Sequence, residues 1–257
     1  MIGPTNHDTF VRISDSRIGT MDAHGEYIPH IGNTRQYWRD IILGVNDGLV
    51  SMLLLVAGVV GGGLDSKQVL LTGVAGAVAG AISMAAGEYL ATKSQDDVLE
   101  AELRLEREHI KYFRDAEIQQ LEEMFGDLGL EGESLTRAIG AFSESDEVLL
   151  NTMKALEFGA VDSERRSPYL AMTYSGILFL LGSAPSVIPF MLTESTTVAL
   201  TWAASFSAIG LFAVGLTKGI VTRKSRILAG FENLTIASVG GVIAYTIGNL
   251  IGSGPVA

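Results

Sequence analysis

Five long apolar runs constrain what this chain can fold into more than any other feature of it. They cover residues 41–63, 69–92, 169–192, 198–221 and 227–251. A helix needs about 20 predominantly apolar residues to cross the roughly 30 Å hydrocarbon core of a bilayer. Backbone in lipid must satisfy its own hydrogen bonds, and a helix does so within a single segment. The expectation is an all-α, polytopic membrane protein with five transmembrane helices. Composition agrees: 47% of the 257 residues are apolar before the 30 glycines are counted, only 18% are charged and the mean hydropathy is +0.32, which together are too apolar for an ordinary soluble domain. There is no cysteine, so disulfides and thiolate metal sites are excluded.

The charge is collected in one place. Residues 93–167 hold 19 acids and 9 bases, which is nearly all of the chain's net charge of −11. A nucleic-acid surface calls for the opposite sign, whereas an acidic insert suits a cation. The predicted organisation is a polar tail over 1–36, spans one and two within 37–92, a helical insert over 93–167, and spans three to five within 168–257. The tail holds His7, His24 and His30 but has no apolar signal-peptide core. Lys and Arg are concentrated in the tail, the insert and the stretch 218–226, and are sparse in the alternate connections. That alternation places the tail and insert in the cytosol and the C-terminus on the far side.

Within the insert, 94–125 reads as one charged helix with neither Pro nor Gly. No break separates it from the second span, so the two should be continuous. At 100° per residue, Glu102, Glu106, His109, Phe113, Glu117 and Gln120 fall in a stripe about 80° wide. Five of these six side chains can ligate a metal ion or hydrogen-bond its water. The competing reading is a solvated acidic face. After a turn at 126–132, two shorter helices are predicted over 135–142 and 147–158, with Met153 and Glu157 on one face of the latter.

Asp47 lies in the first apolar run, where a carboxylate is costly and marks a functional position. The alternative is that Asn46 and Asp47 cap a helix starting at the membrane surface. On the second span Met84 and Glu88 stand one turn apart. A thioether with carboxylates suits a borderline ion such as Fe2+ better than Ca2+ or Mg2+.

The run 44–50 (Gly-Val-Asn-Asp-Gly-Leu-Val), the run 81–89 (Ala-Ile-Ser-Met-Ala-Ala-Gly-Glu-Tyr) and the glutamate-rich insert together resemble the vacuolar iron transporter family, from about Trp38 to the end. The resemblance implies a homodimer of five-span chains that exports Fe2+, with Mn2+ as a further cargo, in exchange for protons. It implies a path past Asp47 and Met84, to which Glu88 is added as a neighbour of Met84. It also implies that Glu106, Glu117, Met153 and Glu157 belong to a cytosolic metal site able to hold Fe2+, Mn2+ or Zn2+. Where the family shows further glutamates this chain has His109 and Gln120, and Lys154 replaces a second methionine. The membrane would be a plasma membrane in a prokaryote and a vacuole-like organelle in a eukaryote. An alternative is a membrane-anchored di-iron ferroxidase, since Glu106 and His109 have the Glu-x-x-His spacing of ferritin-like sites. Such a site needs two of these pairs, and only one histidine lies outside the tail.

Overall fold

A computed structural model of the protein describes residues 35–159 and 166–253. The described residues form nine helices: α1 (Arg35–Gly61), α2 (Ser66–Tyr112), α3 (Arg114–Asp127), α4 (Gly132–Phe142), α5 (Asp146–Leu156), α6 (Pro168–Val187), α7 (Pro189–Leu192), α8 (Thr196–Val221) and α9 (Arg226–Gly252). Five of them, α1, α2, α6, α8 and α9, are long and apolar enough to cross a membrane.

Local chemistry sets the ends. The first span stops at Gly61 rather than residue 63 because the chain turns through Gly63, whose φ of 86° favours glycine. Asp65 then opens α2 with a capping box: its carboxylate accepts from the N–H groups of Lys67 and Gln68, and the Gln68 side chain accepts from Asp65 N–H. The third span tolerates Pro185 within α6 but ends at Val187, and Pro189 starts the short α7.

α1 is the hub of the spans, touching α2, α6, α8 and α9. Glycine lets it approach closely. A Cβ at Gly48 would run into the Phe179 carbonyl of α6, and one at Gly182 into the Val45 carbonyl of α1. On its other flank, Gly248 of α9 abuts the Gly58 carbonyl in the same manner. In lipid such small-residue contacts replace the hydrophobic drive that operates in water.

The second span does run on without a break. At 1.5 Å per residue the 47-residue α2 is about 70 Å long, more than twice the thickness of a bilayer core. Its apolar part ends near Thr92, and the charged remainder continues the same helix to Tyr112. There, Ile110 meets Leu121, Phe125, Leu149 and Met153 in a separate apolar core.

The single helix expected over 94–125 is not what forms. α2 closes at Tyr112, Phe113 leaves helical geometry (φ −134°, ψ 35°), and α3 starts at Arg114. Neither Pro nor Gly causes this break. Arg114 is instead held by Asp146 through Nε (3.0 Å) and by the Ser143 carbonyl through Nη2 (2.7 Å). Both anchors lie at the junction of α4 and α5, so the bend is fixed by tertiary contacts. The predicted short helices form as α4 and α5, with Ser145 capping the latter through Val148 N–H.

Candidate metal centre

The bend at Phe113 makes the site. On a straight helix Glu106 and Glu117 would stand about 16 Å apart along the axis. With α3 folded back, Glu106, His109 and Glu117 each offer a ligand atom within 4.8 Å of the others. Glu106 and His109 are one turn apart on α2, and Glu117 comes from the first turn of α3. His109 Nδ1 lies 3.2 Å from Glu117 Oε1, and its ring meets Phe113 edge-on at 6.4 Å between centroids.

Burial makes this group unusual. Glu106 is 4% exposed and Glu117 5%, and Glu106 Oε1 and Glu117 Oε2 are buried with no hydrogen-bond donor. Buried carboxylate oxygens without partners are costly and uncommon. The Glu106 carboxyl is pushed up to about 7, first by burial and then by the charges of Glu117 and Glu157 and a hydrogen bond with Glu117. Two buried acids facing an imidazole make a compact N/O donor set that a divalent cation would neutralise.

None of the other expected ligands is among the three clustered side chains. Gln120 is half-buried on α3, and Glu157 is exposed at the end of α5, near enough to act on Glu106 electrostatically. Glu102 is exposed one turn before Glu106 on α2 and is not part of the group. Met153 is fully buried in the apolar core with Ile110 and Leu149. His7, His24 and His30 lie outside the described residues. Among the described residues this is the one cluster of three or more such ligands, so the second Glu-x-x-His pair of a di-iron site is not supplied by them.

In the spans, Asp47 lies twelve residues inside α1, so it caps no helix. It is exposed on the flank of that helix, while Met84 is half-buried against the apolar cluster of Met52, Ala77, Ala81, Phe179 and Val187. Glu88 has a partner that sequence reasoning missed. Arg166, just before α6, donates to Glu88 Oε1 (3.3 Å) and to Asp40 Oδ2 of α1. All three side chains of this bridge are largely buried. Asp40 precedes Asp47 by two helical turns, a spacing that could have flagged it. Asn233 of α9 was also missed; it donates to Asn46 Oδ1 (2.7 Å) and to the Leu211 carbonyl (2.9 Å), tying α1, α8 and α9 together beside Asp47.

Comparison with known proteins bears on what such a group serves. A family model described as the VIT family matches residues 38–249. Vacuolar iron transporter 1 of Arabidopsis thaliana is 29% identical, the match covering 83% of this chain and 85% of that protein. Vacuolar iron transporter 1 of Tulipa gesneriana is 29% identical over 84% of this chain and 87% of its own length. The vacuolar iron transporter of Toxoplasma gondii is 25% identical over 86% and 76%.

Proposed function

Since the chain belongs to the VIT family, we propose that it exports Fe2+ from the cytosol across a vacuole-like membrane in exchange for protons. The observation that carries this reading is the pair of buried, donor-less carboxylate oxygens of Glu106 and Glu117 beside His109. Fe2+ is the cargo, collected by these side chains on the cytosolic side and passed to the spans. The protein is a transporter rather than an enzyme, as its relatives' names say of them.

Two features support the finer points. A carboxyl lifted by burial into the neutral range can release its proton as a metal ion arrives, the elementary step of proton–metal exchange. An aspartate exposed on the flank of a spanning helix cannot face hydrocarbon cheaply. Asp47 therefore faces a second copy of the chain, and the path runs between the two copies past Glu88, Met84 and Asp47. The charge pattern that puts tail and insert in the cytosol sets the direction.

Proteoliposomes loaded with an Fe2+-sensitive dye test this. With an imposed pH gradient, uptake of Fe2+ accompanied by proton movement the other way is expected. Absence of uptake in either gradient direction would refute the proposal.

A further inference from the structure

The donors at the metal centre are mixed, and the mixture constrains which ion they hold. Charge comes first. Glu106 and Glu117 are almost fully buried, so their charge must be balanced locally, with little help from solvent. A divalent ion against two carboxylates and a neutral imidazole has no net charge. A third carboxylate in place of the part-exposed His109 would add one uncompensated charge beside the buried pair.

Donor preference points the same way. Mg2+ demands an octahedron of oxygens, and Ca2+ takes six to eight of them. Here one of three clustered donors is a nitrogen. Imidazole suits Fe and Zn, whereas Mn2+ favours carboxylate and water and stands at the weak end of the divalent series, below Fe2+ and well below Zn2+. The ring is also held in position. His109 sits one turn from Glu106 on a helix anchored by Ile110 in the adjacent core, and Phe113 packs edge-on against it. Three protein donors leave positions for water, which keeps the ion exchangeable, as a collecting site requires.

We infer that His109 sets metal choice: the centre takes Fe2+ and Zn2+ in preference to Mn2+, Mg2+ and Ca2+, with Zn2+ competing for the same three side chains. The inference rests on reading Glu106, His109 and Glu117 as the metal centre.

The test uses the full-length protein in detergent, purified without a histidine tag. His7, His24 and His30 are changed to Gln throughout, so that the tail adds no imidazole. Affinities for Zn2+, Mn2+ and, without oxygen, Fe2+ are measured by calorimetry, and Co2+ serves as a spectroscopic probe. His109→Glu should move the Zn2+-to-Mn2+ preference at least ~10-fold toward Mn2+, since loss of even a ligand's supporting partner typically costs ~10–100-fold. It should also shift the Co2+ visible bands as oxygen replaces nitrogen. His109→Gln, neutral and of similar size, should lower the preference in the same direction, and the part-exposed ring makes both changes tolerable to the fold. An unchanged preference with an unchanged Co2+ spectrum overturns the role of His109. A separate arm, Glu106→Gln with Glu117→Gln, should abolish binding; wild-type affinity there would refute the metal centre itself.

Discussion

Glu106→Gln should make the metal centre more stable and stop it working. The folded protein holds this carboxyl at about 7 instead of the ordinary 4.5, chiefly through burial. Between those values folded Glu106 keeps a proton that the unfolded chain has released, so stability falls as pH rises through that window. Above pH 7 the whole cost is present. At ~1.4 kcal/mol per pH unit the gap amounts to about 3 kcal/mol, an upper figure because a partly opened chain retains some burial. Glutamine carries no charge and so avoids that cost. Hydrogen exchange at the buried amides of Ile110 and Leu121 in the metal-free, full-length protein reads the local opening. At pH 8 the variant should exchange up to ~100-fold more slowly than wild type once intrinsic rates are corrected, and the difference should shrink by more than half at pH 5.5. Adding Fe2+ should slow exchange in wild type and leave the variant unaffected. Equal protection at pH 8, or wild-type protection that increases with pH, would refute the reasoning.

Asp47→Asn keeps the shape of α1 but removes a titratable charge from its flank; folding should be intact and metal binding at Glu106 retained, while liposome transport falls to near background. Arg166→Gln leaves Asp40 and Glu88 buried without their counter-charge, which should cost about 3–5 kcal/mol and show as a lowered melting temperature in detergent. Asp40→Asn in the same protein should restore part of that loss, and no recovery would mean that the bridge is not what Arg166 supplies. Gly48→Ala forces a methyl against the Phe179 carbonyl and should destabilise the α1–α6 contact by about 1–3 kcal/mol. Gly87→Ala, where a Cβ meets nothing within 4 Å, should be close to neutral in the same melt.

The spans were legible because twenty apolar residues admit few alternatives; the cap at Asp65 that opens the second of them was not read in advance. The candidate metal centre was half legible. Periodicity put Glu106 and His109 on one face correctly, since one turn of helix separates them. It put Glu117 on that face for the wrong reason: the side chain arrives because the chain folds back at Phe113. That bend depends on Arg114 reaching Asp146 and the Ser143 carbonyl, some thirty residues on, and no local propensity encodes such a contact. Glu102 shows the converse, a residue with the right spacing, on the same unbroken helix as Glu106, that the fold leaves in solvent. The Asp40–Arg166–Glu88 bridge joins three distant segments and leaves no periodic trace.

The uninterrupted length of α2 has a consequence for how its two ends communicate. Glu88 and Glu106 are eighteen residues apart, which is five full turns, so they share one azimuth at a separation of about 27 Å. At physiological ionic strength a charge in solvent is screened over ~8 Å. The stretch of α2 between them is mostly exposed from Lys93 to Leu105, so solvent and its ions weaken the field of an ion at Glu106 before it reaches Glu88. A tilt of the helix as a stiff rod does reach from one to the other, since a few degrees at Glu106 become a displacement of an ångström or more at Glu88.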